Sequence, residues 1–222
     1  MKLKIKIIGK GGMILVLCLL CAVFIMLMTN AMNPVQKRET LAEFLPETKP
    51  SDTASQSPSV SIQINNTSAL TRSNEANVLG GAGGTRKEDP QYSYFSRGWN
   101  IDDQWWELSG LSTAGYERIE LSFAVRGSNT GPKNFTIEYS ENGNEWQPLT
   151  DTSGAIIKYE VDSDNRFHRL GPYQLTTEVS GLEQLHIRFL NTDTESVIGE
   201  ATKSSGTNYL ADILITGIPK SE

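Results

Sequence analysis

Three patterns of apolar and polar residues follow one another along the chain, and each predicts a different state. From Met13 to Met28 the run MILVLCLLCAVFIMLM is apolar at every position. With no polar face to offer water, such a run suits a helix in lipid better than a helix of a water-soluble core. Residues 33–75 hold no sustained period of 2 or 3.6 and carry Pro34, Pro46, Pro50 and Pro58 among Ser, Thr, Asn and charged residues. That composition predicts a disordered linker, because too little apolar area is available to offset the entropy of ordering. Inside it, RETLAEFL (Arg38 to Leu45) spaces Leu41, Phe44 and Leu45 for a helical turn or two, and Val60, Ile62 and Ile64 alternate like a stray strand.

From Ala76 onward the pattern becomes short alternating segments separated by turn residues, which predicts antiparallel strands. ERIELSFAVRG places Ile119, Leu121, Phe123 and Val125 on one face, and KNFTIEYS does the same with Phe135, Ile137 and Tyr139. Asn142-Gly143 then predicts a tight hairpin turn into EWQPL, since both residues tolerate positive φ. QLHIRFL alternates Leu185, Ile187 and Phe189 with His186 and Arg188, while NYLADILITG opposes Ala211, Ile213 and Ile215 to Leu210, Asp212 and Leu214. Weaker strands are YSYFSRG, QWWELS, AIIKYEV and RFHRLGPYQL. A total of about eight to ten strands predicts an all-β, two-sheet antiparallel sandwich of jelly-roll type, with a closed barrel as second architecture. The organisation is thus residues 1–32 as a signal peptide or signal-anchor helix, 33–75 as linker and 76–218 as the sandwich.

Charge fixes the direction of the first segment. Lys2, Lys4, Lys6 and Lys10 precede the apolar run, so by the positive-inside bias the N-terminus stays in the cytoplasm and the rest crosses. The product is a single-pass cell-membrane protein with its C-terminal domain outside, or a secreted one if cleavage occurs near Ala31. A prepilin-type leader ending at Gly12 is a further reading, although Leu17 stands where pilins carry glutamate. The formal net charge is −6, which argues against a nucleic-acid partner, because phosphate binding needs clustered cations. Both cysteines, Cys18 and Cys21, lie in the apolar run, so burial rather than disulfides must stabilise the sandwich.

The stretch WWELSGLSTAGYERIELSFAVRGSNTGPKNFTIEYSENGNEWQPL, with Leu111 to Thr113, Gly115, Tyr116, Arg126, Ser128 to Pro132, Phe135, Tyr139, Ser140, Gly143 and Trp146 in step, resembles a β-sandwich accessory module. That module recurs in secreted and cell-surface bacterial proteins, including C-terminal parts of extracellular nucleases. IRFLNTD and SSGTNYLADILITG extend the resemblance over roughly residues 76–217. It implies a jelly-roll-like fold and a non-catalytic role beside varied partners, and it does not specify function.

Candidate chemistry is sparse. Exposed aromatic faces stack on sugar rings, and four tryptophans, Trp99, Trp105, Trp106 and Trp146, lie in the sandwich; Trp99, Trp105 and Trp106 are the candidate ligand-binding residues, with Trp105 and Trp106 facing opposite ways if both lie in a strand. Arg126 and Asn129, ahead of the Gly131-Pro132 turn, form a polar cluster at a strand end. Core packing and satisfaction of loop backbone groups compete with both readings. Asp162, Asp164 and Asn165 in VDSDN offer oxygen ligands for a structural calcium, without the glycine and final glutamate of an EF-hand loop. No cofactor is otherwise implied. His168 and His186 stand without a catalytic motif, and GGAGG (Gly80 to Gly84) lacks the Lys-Ser/Thr of a phosphate loop and reads as a flexible connection. The expected function is a membrane-tethered extracellular module that binds carbohydrate, another cell-surface polymer or a protein. An accessory subunit of a pilus-like or secretion assembly and a hydrolase without a recognisable motif are the alternatives.

Overall fold

Alternating side chains give each strand one apolar edge, and two stacked sheets bury those edges against each other. In the computed structural model the described residues are 36–45, 55–56, 60–61, 69–73, 79–82, 84, 86 and 89–221. They form fourteen strands: β1 (Glu39–Phe44), β2 (Ser55–Gln56), β3 (Val60–Ser61), β4 (Ala69–Arg72), β5 (Leu79–Ala82), β6 (Tyr92–Ser96), β7 (Trp105–Leu111), β8 (Tyr116–Gly127), β9 (Asn134–Ser140), β10 (Gln147–Pro148), β11 (Lys158–Glu160), β12 (His168–Gln174), β13 (Leu185–Asn191) and β14 (Asn208–Pro219). A 3₁₀ turn, Thr177–Val179, precedes β13. Among the described residues no helix is long and apolar enough to cross a membrane. The apolar run Met13 to Met28 lies outside the described residues, as does the expected helix of residues 1–32.

Sheet I runs β12-β8-β14-β1-β3, with β6 also on β14 and β5 beyond it, and sheet II runs β10-β9-β13-β7-β4-β2 with β11 on β9. Every pairing is antiparallel. The result is two separate sheets rather than a closed barrel. Strand β14 is the hub of sheet I: β8 follows its whole length on one side, while β6 takes Asn208–Leu210 and β1 takes Ile213–Gly217 on the other.

The inner faces share one core. Ile119, Leu121, Phe123 and Val125 of β8 meet Ile137 of β9 and Ile187 and Phe189 of β13, all at 1% exposure or less. Aromatic edges cross between the sheets, with Phe123 T-shaped against Phe189 at 4.9 Å. Trp99, in the β6–β7 connection, plugs one end against Trp106 at 5.7 Å and Phe135 at 5.6 Å.

Four expectations are corrected. Residues 33–75 are not a plain linker, since β1 and β4 belong to the sheets and bury Leu41, Phe44, Leu70 and Arg72. The segment from Arg38 to Leu45 is a strand rather than helical turns: a bulge between Thr40 and Ala42 shifts the side-chain phase, so Leu41 and Phe44 both turn inward and imitate a helical spacing. A second bulge follows Ala211, where Asp212 takes φ +47°, and this shifts the phase so that Leu210 joins Ile213 and Ile215 in the common core, while Ala211 is buried on the opposite face beside Ala124 and Phe167. Finally, Gly80 and Gly81 are not in a flexible connection but in β5, paired with Tyr94 and Ser93. A Cβ on Gly81 would stand 2.8 Å from Ser93 Oγ and 3.1 Å from Phe95 Cδ1, so the bare backbone permits the close approach.

Candidate functional site

Because Ile137, Ile187, Phe189, Trp106 and Leu108 point into the core, alternation turns Glu138, His186, Arg188, Trp105 and Glu107 outward on sheet II. The register sets Glu138, Arg188 and Glu107 in one row across β9, β13 and β7. Arg188 Nε donates to Glu138 Oε2 at 2.5 Å, and His186 Nδ1 lies 3.1 Å from Glu107 Oε1. The Arg188 guanidinium sits 4.3 Å from the Trp146 ring centre and 5.5 Å from that of Trp105. Trp146 also meets His186 edge to face at 6.4 Å. Both indoles are half-buried.

Trp146 reaches this face because of the loop before it. Ser140 Oγ accepts from the backbone N–H groups of Asn142 and Gly143, and Asn142 Oδ1 accepts from those of Asn144 and Glu145. These side-chain turns replace the expected two-residue hairpin with a wider loop, with Gly143 at φ +75°, that ends by presenting Trp146 to Arg188. The loop borders a cleft of about 200 Å³ lined by Tyr139, Ser140, Glu141, Asn142, Glu145 and Gln147. Tyr139 in its wall donates to Glu178 at 2.9 Å, and burial together with that carboxylate pushes its hydroxyl up to about 12.

The arrangement is a flat surface of indole, guanidinium and indole, edged by carboxylates and an imidazole. Such a surface supplies ring faces for the C–H side of a sugar and charged acceptors and donors for its hydroxyls. Stacking on Trp146 and Trp105 orients the guanidinium, each contact contributing about 0.5–2 kcal/mol, and the Arg188 terminal nitrogens keep no hydrogen bond among the described residues.

The five residues singled out from the sequence do not converge. Trp99 and Trp106 are fully buried and therefore correct the expectation of a binding role. Trp99 N–H donates to Ser96 O at 2.9 Å, with the Arg72 guanidinium 3.7 Å over its ring. Burial brings Arg72 down to about 9, leaving it cationic at neutral pH, where Gln104 Oε1 and the carbonyls of Trp105 and Arg97 accept its hydrogens. Trp106 N–H donates to Asn208 Oδ1 at 2.8 Å, tying sheet II to sheet I. Trp105 is on the sheet II platform, whereas Arg126 is on the outer face of sheet I. Asn129 lies exposed in the β8–β9 connection, where its carbonyl accepts from Ile198 at 3.3 Å. Trp146 stood among the four tryptophans weighed for stacking but not among the candidate site residues, and Arg188, Glu138, Glu107 and His186 were not singled out, although alternation in QLHIRFL already put His186 and Arg188 on a wet face. The VDSDN carboxylates turn onto His168, with Asp164 Oδ1 at 2.9 Å from Nε2 and Asp162 Oδ2 at 3.4 Å from Nδ1. Among the described residues no group of three or more His, Cys, Asp or Glu side chains is placed to hold a metal ion.

No protein-family model and no curated protein matches the chain. Among solved structures, a xylan-binding domain from Paenibacillus barcinonensis is similar at 14% identity and TM-score 0.41, covering 70% of this chain and 93% of that one. The N-terminal cellulose-binding domain of a Cellulomonas fimi β-1,4-glucanase is similar at 10% identity and TM-score 0.34, over 64% of this chain and 89% of that one. The enzymatically active domain of a bacteriophage tailspike protein is similar at 11% identity and TM-score 0.38 over 67% of this chain, which spans 19% of that chain. Likenesses at this level assign the chain no ligand.

Proposed function

We propose that the chain is a non-catalytic carbohydrate-binding module of jelly-roll type whose platform is the outer face of sheet II. One observation carries the reading: Trp105 and Trp146, both half-buried, flank Arg188 within 5.5 Å on the outer, solvent-facing side of sheet II. Two indoles spaced by a cation suit an extended glycan, with rings stacking on the aromatic faces and hydroxyls meeting Arg188, Glu107 and Glu138. The same reading takes the basic stretch and the run from Met13 to Met28 as an anchor that holds the sandwich outside the cell membrane. The partner is then a polysaccharide at the cell surface.

The test is a glycan array followed by calorimetry on the full chain with a bound neutral polysaccharide. Trp105→Ala and Trp146→Ala should each weaken binding about tenfold, as expected when one stacked ring is lost, while Trp99→Phe should not. Unchanged binding in both alanine variants would refute the platform.

A further inference from the structure

The outer face of sheet I carries a second row of a different kind. Arg126 of β8 is paired with Tyr209 of β14, Tyr209 with Phe95 of β6, and Phe95 with Leu79 of β5, so four strands bring these side chains abreast. Phe167, just before β12, closes the row. The Arg126 guanidinium lies 4.1 Å from the Tyr209 ring centre and 4.8 Å from that of Phe167. Phe95 stacks on Tyr209 at 5.3 Å with 30° between the planes, and the exposed Arg97 reaches 5.8 Å from Phe95. Ala124 and Ala211, fully buried beneath, keep the floor low.

Among the described arginines those of this row combine aromatic neighbours with no acceptor, whereas the exposed Arg118 is unpaired but meets no ring and Arg72 meets Trp99 but donates to Gln104. Arg38, Arg166, Arg169 and Arg188 are each held by a carboxylate: Glu120, Asp164, Asp212 and Glu138 respectively. The side chains of Arg126 and Arg97 hold neither an ion pair nor a hydrogen bond among the described residues; Arg126 Nε is buried with no acceptor and closed to a ligand, which leaves the terminal nitrogens as the edge an anion can meet. Asp212, further along β14 on the same face, is already taken by Arg169 at 2.5 Å. A guanidinium clamped between two rings with its Nε edge dry gains from an anion that pairs with its open terminal edge. Its planar fork matches a carboxylate in two parallel hydrogen bonds, and the rings beside it match the apolar side of a pyranose. In a chain of net charge −6, two unpaired cations on one aromatic row mark a local preference for negative charge.

We propose that this row is a second binding site, for an acidic polysaccharide whose uronate carboxylate is gripped by Arg126 while its sugar ring lies on Tyr209 and Phe95, with Arg97 as an added cation. The site is on the opposite sheet from Trp105 and Trp146, and it stands or falls apart from the sheet II platform.

The full chain in detergent is titrated by calorimetry with polygalacturonate and with fully methyl-esterified polygalacturonate, which keeps the ring and removes the charge. The acid form should bind at least about tenfold more tightly than the ester, and raising salt to about 0.15 M should narrow the gap. Arg126→Gln should lose that preference, and Trp105→Ala should keep it. If Arg126→Gln does not fold, Arg97→Gln at its exposed position decides: a severalfold fall in affinity for the acid form supports the site, and no fall overturns it. Equal binding of acid and ester, no binding of either, full preference in a folded Arg126→Gln variant, or binding only to phosphatidylglycerol vesicles would each overturn the proposal.

Discussion

Replacing Phe44 with alanine removes a ring with no exposed surface, in a strand that the composition of residues 33–75 assigns to a linker. The ring is packed in the common core, and β1 holds it there by pairing Phe44 with Ile213 of the hub strand. Truncating a buried phenylalanine costs about 3–5 kcal/mol, from lost transfer energy and the cavity left behind. Against a total stability of roughly 5–15 kcal/mol, that is a large share. The compact unit runs from Lys37 to Glu222, so urea titration of that fragment with and without Phe44→Ala should show the loss directly. The thermal midpoint should fall by roughly 6–20 °C for a domain of this size. A fragment starting at Ala76 should show no cooperative transition. A change below about 1 kcal/mol on Phe44→Ala, or a cooperatively folded fragment from Ala76, would refute the place given to β1 in the core.

Other substitutions probe other contacts. Trp106→Phe keeps an aromatic ring but leaves Asn208 Oδ1 without its donor beside an already unpartnered Nδ2; a loss of about 1–3 kcal/mol in chemical unfolding, with unchanged glycan affinity, is the expected outcome. A Cβ at Gly131 would collide with the backbone oxygen of Thr207, which no side-chain rotation can relieve, so Gly131→Ala should cost about 1–3 kcal/mol by the same assay. Burial pushes the Tyr94 hydroxyl up to about 12 from 10.0. Its proton is therefore bound more tightly in the folded chain, and this contribution is complete below pH 10 and lost as pH rises from there toward 12. The fall in stability between pH 8 and pH 11 should be about 1 kcal/mol smaller in Tyr94→Phe than in the parent protein.

Where alternation is unbroken, sequence and structure agree: β8, β9 and β13 carry their core residues where period 2 puts them, because the extra residues in their ladders fall on the partner strands β12, β14 and β7 or, in β8, ahead of Ile119. Bulges defeat the same reasoning. The irregularity at Thr40/Ala42 gave Leu41 and Phe44 a spacing of three, and the one after Ala211 exchanged Ala211 for Leu210 on the core face that Ile213 and Ile215 share. A local pattern cannot reveal a bulge, since the extra residue is defined against a partner strand far away in sequence. The platform was half legible for the same reason. Alternation requires Trp105 and Trp106 to face apart, but only the pairing of Trp105 with Leu190 and of Trp106 with Phe189 fixes which one meets solvent. The meeting of Arg188 with Glu138 depends on β9–β13 register and so was hidden.

The position of β14 has a further consequence for biogenesis. The first strand of sheet I pairs with residues that leave the ribosome some 170 positions later, so β1, β6 and β8 must wait with open edges until their shared partner appears. Until then the nascent chain exposes unpaired backbone and greasy faces that invite aggregation. A chain arrested just short of Asn208 should therefore be captured by chaperones or degraded, and release of the twelve residues of β14 should act as the trigger that completes the sheet in one step.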